Sequence, residues 1–292
     1  MPREVDPSLN EKAFVLQALQ EDIRLDGRPL DAFRHISLTF GDVYGVADVT
    51  LGKTRIIARI SAEVTQPYPD RKFDGVFTIA TELSPIASPA FEVGRQTEAE
   101  VLLSRLLEKA IRRSSALDTE SLCIIAGAKC WSVRADVHVL DFDGGLVDAS
   151  CVAVVAALQH FRLPDVSVQG EDVTVWSPNE RVPVPLSIHH LPICVTFSFF
   201  NGGETVVLDA TLLEEQLREA QVVITVNRHG EVCQIAKYGG HPVDALALLN
   251  CSNIAVIKAQ ELTKFITSRL EEDAKARDVG GLLAELSAEN AR

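Results

Sequence analysis

None of the six cysteines (Cys123, Cys130, Cys151, Cys194, Cys233 and Cys251) stands two residues from another, and neither an HExxH nor a GxSxG stretch occurs. The first absence removes the paired-thiol spacing of metal and redox sites. The other two remove the zinc-protease helix and the serine-nucleophile elbow. Reduced, buried thiols in a cytosolic or nuclear compartment are the reading that remains. No apolar run is long enough to span a bilayer, and "MPREVDPSLN" has no hydrophobic signal core. Positive charge is also short. Lys and Arg number 28 against 41 Asp and Glu, for a net charge of −13. That balance argues against autonomous binding of duplex DNA. It leaves room for RNA contact inside an assembly, where a local basic patch or a partner carries the charge.

What is present suits a folded body. The 292 residues are 47% hydrophobic and 24% charged, enough for one large domain or two lobes. "PSLNEKAFVLQALQ" predicts a helix capped by Ser8 or Asn10, with Phe14, Leu16 and Leu19 as its buried stripe. "HISLTF", "YGVADVTLG", "TRIIARISAEV" and "GVFTIATEL" read as strands. The period then changes. "GRQTEAEVLLSRLLEKAIRRSSALD" predicts a helix with Val101, Leu102, Leu106 and Ile111 on one face, and Arg105, Lys109, Arg112 and Arg113 on or beside the other. "SLCIIAGAKCWSVRADVHVLD" returns to strand, and "LVDASCVAVVAALQHF", apolar all round, predicts a central buried helix.

The proline- and turn-rich stretch from Leu163 to Pro192 is the candidate boundary between lobes. Beyond it come the strands "ICVTFSFF" and "ETVVLDA", then a short helix opened by the capping box Thr211–Glu214. Two more strands follow, then a long amphipathic helix from about Pro242 to Arg269 and a charged tail. Strands then helix, twice over, predict an α+β chain of two related lobes.

The candidate sites are few. "LGKTR" at Leu51–Arg55 has Ala47 where a phosphate loop needs its first glycine, so it reads as a hairpin. "DFDGG" at Asp141–Gly145 lacks the later ligands of a calcium loop. His189–His190 is the only adjacent histidine pair, and its side chains diverge if the chain is extended. No metal site and no cofactor are expected.

Gly144 and Gly145, before a helix, have the backbone shape of a phosphate pocket. The side chains that follow are wrong for one. Leu146 and Val147 are apolar, and Asp148 is an anion in the first turn, where it competes for the amides and reads as a helix-terminal stabiliser. Among the carboxylates of the second half (Asp209, Glu214, Glu215 and Glu219), Asp209 sits at a strand end but has no phosphate clamp or metal to work with. Lys109, Arg112 and Arg113, with Arg95 at the preceding turn, form a candidate positive patch able to hold a sugar–phosphate backbone. The alternative for these residues is an ordinary solvated face with pairs such as Glu108–Arg112.

Several stretches carry a family resemblance: "RLDGRP", the long block from "FEVGRQTEAEVLL" to "VSVQG", "VPLSIHHLPICVTFSF" and "VVLDATLLEEQLREAQVVITVN". From about Arg24 to about Arg269 the chain resembles the ribonuclease PH family, and within it the non-phosphorolytic ring subunits of the RNA exosome. The resemblance implies a ribonuclease PH fold with duplicated β-α-β lobes, the first of ribosomal protein S5 domain 2-like type. It divides the chain into an N-terminal helix and loop (1–30), a first lobe (31–190), a second lobe (191–272) and a charged tail (273–292).

It further implies a six-member ring of ribonuclease PH-fold subunits threaded by single-stranded RNA. Cap subunits of S1/KH type and separately bound hydrolytic nucleases accompany that ring, in the nucleus, nucleolus and cytoplasm. In active members the turn matching Asp143–Asp148 carries a small hydroxyl residue and an arginine, where Leu146 and Val147 stand here. Active members also have an aspartate near "REAQVV", where the local letters are Glu219 and Gln221. The basic stretch "LLEKAIRRSSALD" matches the RNA-contacting region of inactive ring subunits, pointing to Lys109 and Arg112. The expected role is structural and RNA-guiding, without catalysis. The alternative, a phosphate-dependent 3′-to-5′ exoribonuclease, needs donors from elsewhere, such as Arg134 or a partner's arginine.

Overall fold

The computed structural model describes residues 6–277 except Val93, Arg95, Gln96, Glu171, Pro178 and Asn179. The expected patch member Arg95 and residues 278–292 of the expected tail therefore lie outside the described residues. Helix α1 (Leu9–Gln20) is capped by Ser8 in a reciprocal box with Glu11. Its buried residues are Val15 and Leu19, packed with Phe200 and Val207 of the second lobe. Phe14, expected in the stripe, is 63% exposed, because the helix docks through one narrow edge.

The first lobe holds β1 (Ile36–Phe40), β2 (Val46–Leu51), β3 (Thr54–Thr65), β4 (Val76–Leu83), β5 (Cys123–Ile125) and β6 (Lys129–Asp141). The sheet order is β1-β2-β3-β6-β4, with β5 added to β6. Only the β4–β6 pairing is parallel. The crossover between those strands carries α2 (Glu98–Leu107), which runs into a π turn at Glu108–Arg112.

The face that α2 buries matches expectation at Leu106 and Ile111 and differs at its start. Leu103, Leu106, Leu107, Ala110 and Ile111, spaced as one helical stripe, are buried, whereas Val101 and Leu102 are nearly half exposed.

Helix α3 (Leu146–His160) packs on β2 and β3 with one side and on the second lobe with the other. Both sides are covered, so an almost wholly apolar sequence is what the position requires. After it, β7 (Arg162–Leu163), the exposed hairpin β8 (Val166–Gln169) and β9 (Asp172–Val175), and β10 (Val184–Pro185), which returns to β7, occupy the turn-rich stretch. The second lobe is an antiparallel sheet ordered β12-β11-β13-β14, from β11 (Ile193–Phe200), β12 (Thr205–Leu208), β13 (Ala220–Val226) and β14 (Val232–Gly239). Short α4 (Leu212–Leu217) opens with the expected capping box at Thr211.

Helix α5 (Ala245–Arg277) covers β11 and β13. It starts later than expected, with the Asp244 carboxylate accepting from the Leu246 amide at 3.2 Å, and it ends eight residues further on. Its last turns are pinned to the first lobe. Arg277 donates to the carbonyls of Gly41 and Asp42, and Asp273 lies 3.2 Å from the ring of buried His160. Burial pulls that histidine down to a pKa of about 4. All six cysteines are free, and four are buried. Cys123 and Cys233 are partly exposed, against the expectation of uniformly buried thiols.

Candidate functional site

The glycine turn joins β6 to α3. Gly144 and Gly145 both take left-handed backbone angles, φ 79° and 70°, which glycine adopts without steric cost. Their lack of side chains also serves packing. A Cβ on Gly144 would stand 2.5 Å from the Ala210 carbonyl, and one on Gly145 would stand 2.6 Å from Arg34 Nη2 and 2.8 Å from Asp209 Oδ1. The second lobe thus presses its β12–α4 corner directly onto the turn.

That corner explains the carboxylates. Asp209, buried and itself left-handed at φ 50°, faces Arg34. Arg34 donates from Nη2 at 2.7 Å and from Nε at 2.9 Å, and its amide adds a third bond at 2.8 Å. Arg28 Nη1 donates to the same carboxylate at 3.0 Å. The Arg34 guanidinium also reaches the carbonyls of Asp143 and Gly144, at 2.5 and 3.1 Å. Thr54 Oγ1 donates to Gly144 O at 2.7 Å. Glu214 takes a two-pronged bond from buried Arg24 while accepting from the Thr211 amide. Glu219 turns to the Gly202 amide. Each carboxylate considered from the sequence therefore has a structural partner. The arginines that hold Asp209 and Glu214 come from the N-terminal loop, more than 170 residues away in the chain.

At the start of α3 the Gly145 amide donates to Glu215 Oε1 at 3.0 Å. Glu215 also lies 3.3 Å from Arg218, and burial raises its pKa. A carboxyl group of the chain itself thus occupies the Gly145 amide. Sequence reasoning counted Glu215 among the acidic residues but did not connect it to the turn.

Asp148 needs correction. It does not cap α3 or crowd its amides, because its side chain is buried against β11. It accepts there from Thr196 Oγ1 at 2.6 Å and from Thr196 N at 3.0 Å. Burial pushes it up to about 8, which weakens its negative charge near neutral pH. The reading of Leu146 and Val147 needs no such change. They line a cleft of about 370 Å³ together with Leu102, Phe142, Gln221 and Tyr238. The turn contributes no hydroxyl or guanidinium to it; those in the lining come from the second lobe, where the Thr196 hydroxyl donates to Asp148 and Arg218 lies 3.3 Å from Glu215. Gln221 faces this cleft, as a residue in the general-acid region would. Arg134, the expected substitute donor, instead pairs with Asp136 at 2.7 Å on an exposed part of β6. No group of three or more His, Cys, Asp or Glu able to hold a metal occurs among the described residues. His190 bonds the Ser114 carbonyl while His189 lies 3.9 Å from Asp118, so the pair diverges.

The basic residues sit elsewhere, on the π turn that ends α2. A π turn widens the helix by one residue and is frequent at functional sites. Arg112 pairs with Glu108 at 3.0 Å, the i,i+4 contact expected from the sequence, and Arg105 adds a looser contact at 3.4 Å. Lys109 and Arg113 are exposed and have no ion pair among the described residues. Arg112 also shares a surface hollow of about 290 Å³ with Tyr68, Arg71 and Asp74. The loop that supplies these carries two exposed aromatics, Tyr68 and Phe73, at 54% and 69%. Its letters "YPDRKF" combine aromatic and basic residues, a signal present in the sequence but read only as a gap between strands.

Comparison with known proteins agrees with this architecture. The 3′ exoribonuclease family models match the chain twice, domain 1 over residues 32–164 and domain 2 over residues 190–258. The exosome complex component rrp45 of Schizosaccharomyces pombe is 53% identical over the whole of both chains. Its Saccharomyces cerevisiae counterpart, exosome complex component RRP45, is 48% identical over 100% of this chain and 99% of that one. A subunit in a solved structure of the Archaeoglobus fulgidus exosome with RNA bound to the active site superposes with a TM-score of 0.78 at 29% identity, covering 87% of this chain and 97% of that chain. Two matched domains, full-length relatives and a shared two-lobed fold make the chain a member of the 3′ exoribonuclease, or ribonuclease PH, family.

Proposed function

We propose that the chain is a structural, RNA-guiding subunit of an exosome ring, supporting 3′-to-5′ RNA processing and degradation without chemistry of its own. It assembles with other ribonuclease PH-fold subunits. In the finer reading, S1/KH-type caps and hydrolytic nucleases complete the complex, in the nucleus, nucleolus and cytoplasm. Residues 31–190 and 191–272 serve as its two lobes. The named relatives are exosome components, which supports the assembly.

One observation carries the absence of chemistry. The glycine turn is bound from within by Arg34, Asp209 and Glu215, and its cleft-facing side chains are Leu146 and Val147. A phosphate acting as nucleophile needs donors that fix its oxygens; the turn supplies none, and the cleft's Thr196 hydroxyl and Arg218 guanidinium are turned to Asp148 and Glu215. The exposed cations Lys109, Arg112 and Arg113 give the RNA-guiding half its support, since such groups hold a backbone without reading bases. Tyr68 adds a stacking face beside Arg112, and exposed Phe73 lies on the same loop.

The test uses the assembled ring. Replacing Lys109 and Arg112 together by alanine should shorten the RNA protected from nuclease and leave incorporation of the subunit unchanged. Phosphate-dependent trimming by the chain that disappears on Gln221→Ala, with assembly intact, would overturn the non-catalytic half.

A further inference from the structure

In the β5–β6 hairpin, Cys123 and Cys130 are register partners in the antiparallel ladder, with an irregularity following between Cys123 and Ile125. Opposed residues of such a pair point to the same face, with Cα atoms about 4.5–5.5 Å apart. A disulfide requires about 4.4–6.8 Å. Cys123 is partly exposed and Cys130 is fully buried beneath it. The remaining cysteines lack this arrangement. Cys151 and Cys194 are within hydrogen-bond reach of each other but sealed in the core away from peroxide, and Cys233 and Cys251 have no strand partner in register that is a cysteine.

We propose that Cys123 and Cys130 form a peroxide-driven, reversible cross-strand disulfide that locks this hairpin. The Cys123 thiolate attacks hydrogen peroxide, breaking its O–O bond to give the sulfenic acid and hydroxide. The Cys130 sulfur then attacks the sulfenic sulfur and displaces its oxygen, with the thiol proton completing water. Two thiols are oxidised and one peroxide is reduced to two waters. Burial raises the Cys130 thiol, which slows its attack on the sulfenic sulfur.

The hairpin braces the loop beside Arg112. Its Gly127 amide donates to the Lys72 carbonyl at 2.8 Å, and a Cβ on Gly75 would stand 2.4 Å from Leu122 Cβ at the hairpin's base. Locking the hairpin therefore stiffens the Tyr68–Gly75 loop. This consequence concerns the RNA-guiding reading, but the disulfide itself does not depend on it.

The test treats the full chain with about one equivalent of hydrogen peroxide, blocks free thiols under denaturing conditions and digests with trypsin. Cleavage after Arg113, Lys129 and Arg134 puts the two cysteines on separate peptides. The expected product is peptide 114–129 joined to peptide 130–134, lost on dithiothreitol treatment and absent from Cys123→Ser, while Cys233→Ser still forms it. Oxidised chain should also resist cleavage after Arg71 and Lys72 several-fold longer than reduced chain. Oxidation of Cys123 to sulfinic acid without joining Cys130, or joining only after denaturation, would overturn the disulfide. A disulfide that leaves cleavage at Arg71 and Lys72 unchanged would overturn the stiffening, and RNA protection by the Lys109/Arg112 pair would be unaffected by either failure.

Discussion

The glycine turn and the π turn both gather charge, and they use it in opposite ways. At the glycine turn, Arg34 sits inside a set of carboxylate and carbonyl acceptors, and Asp209 is reached by donors from two arginines. At the π turn, Lys109 and Arg113 face solvent and Arg112 has a single partner. Charge that holds two lobes together is unavailable to a ligand. Charge left on a solvated turn stabilises the fold little and is available to RNA. The difference separates residues that hold the two lobes together from residues left free to meet a ligand.

The largest test of that division is Arg34→Ala. It leaves Asp209 buried with fewer donors and the Asp143 carbonyl without its partner, while Thr54 still bonds the Gly144 carbonyl, a class of change costing about 3–5 kcal/mol. Thermal or denaturant unfolding should show it as a large loss of stability, and a loss below about 1 kcal/mol would mean that the lobes are held by apolar packing alone.

Asp148 gives the next effect. Asp148→Ala removes both acceptors of Thr196 and should cost about 1–3 kcal/mol, whereas Asp148→Asn keeps one acceptor and should cost less. The pH dependence has a definite sign. The folded-state pKa, about 8, is raised above the ordinary 3.8, so the folded protein holds this proton more tightly than the unfolded chain. The resulting stability is fully present below the ordinary value and is lost as pH rises toward 8. Wild-type protein should therefore lose stability relative to Asp148→Asn across that window, as measured by unfolding at successive pH values.

Lys109→Ala with Arg112→Ala should behave in the reverse manner. Stability should move by no more than about 0.5 kcal/mol. RNA protection should weaken most at low salt, with the salt slope falling by about 0.7 for each phosphate that is no longer neutralised. The smallest effect is expected from Glu108→Gln, which releases Arg112 from an exposed pair at a cost of about 0.3–0.5 kcal/mol. A filter-binding titration should then show equal or slightly tighter RNA binding.

The fold was legible where periodicity had one solution. The alternation in "VADVTL" and the all-apolar run of α3 specify a half-buried strand and a helix covered on both sides. It was less legible where two stripes competed. In α2 the letters permit Val101–Leu102 or Leu103–Leu107 as the inner face, and only the sheet beneath decides. At the site, the apolar character of Leu146 and Val147 could be read directly, because it does not depend on context. Asp148 could not be read, since its charge depends on burial against Thr196, a residue of the other lobe. The links from Arg34 to Asp209 and from Gly145 to Glu215 were hidden for the same reason: they join distant segments through pairings that leave no local spacing.

The most direct measurement is a structure of the assembled ring holding RNA in the presence of inorganic phosphate. The account predicts RNA backbone phosphates within ion-pair distance of Lys109 or Arg112, and Glu215 still bonded to the Gly145 amide with no phosphate there. Phosphate seated at Gly144–Gly145, in line with an RNA 3′ end, would contradict it.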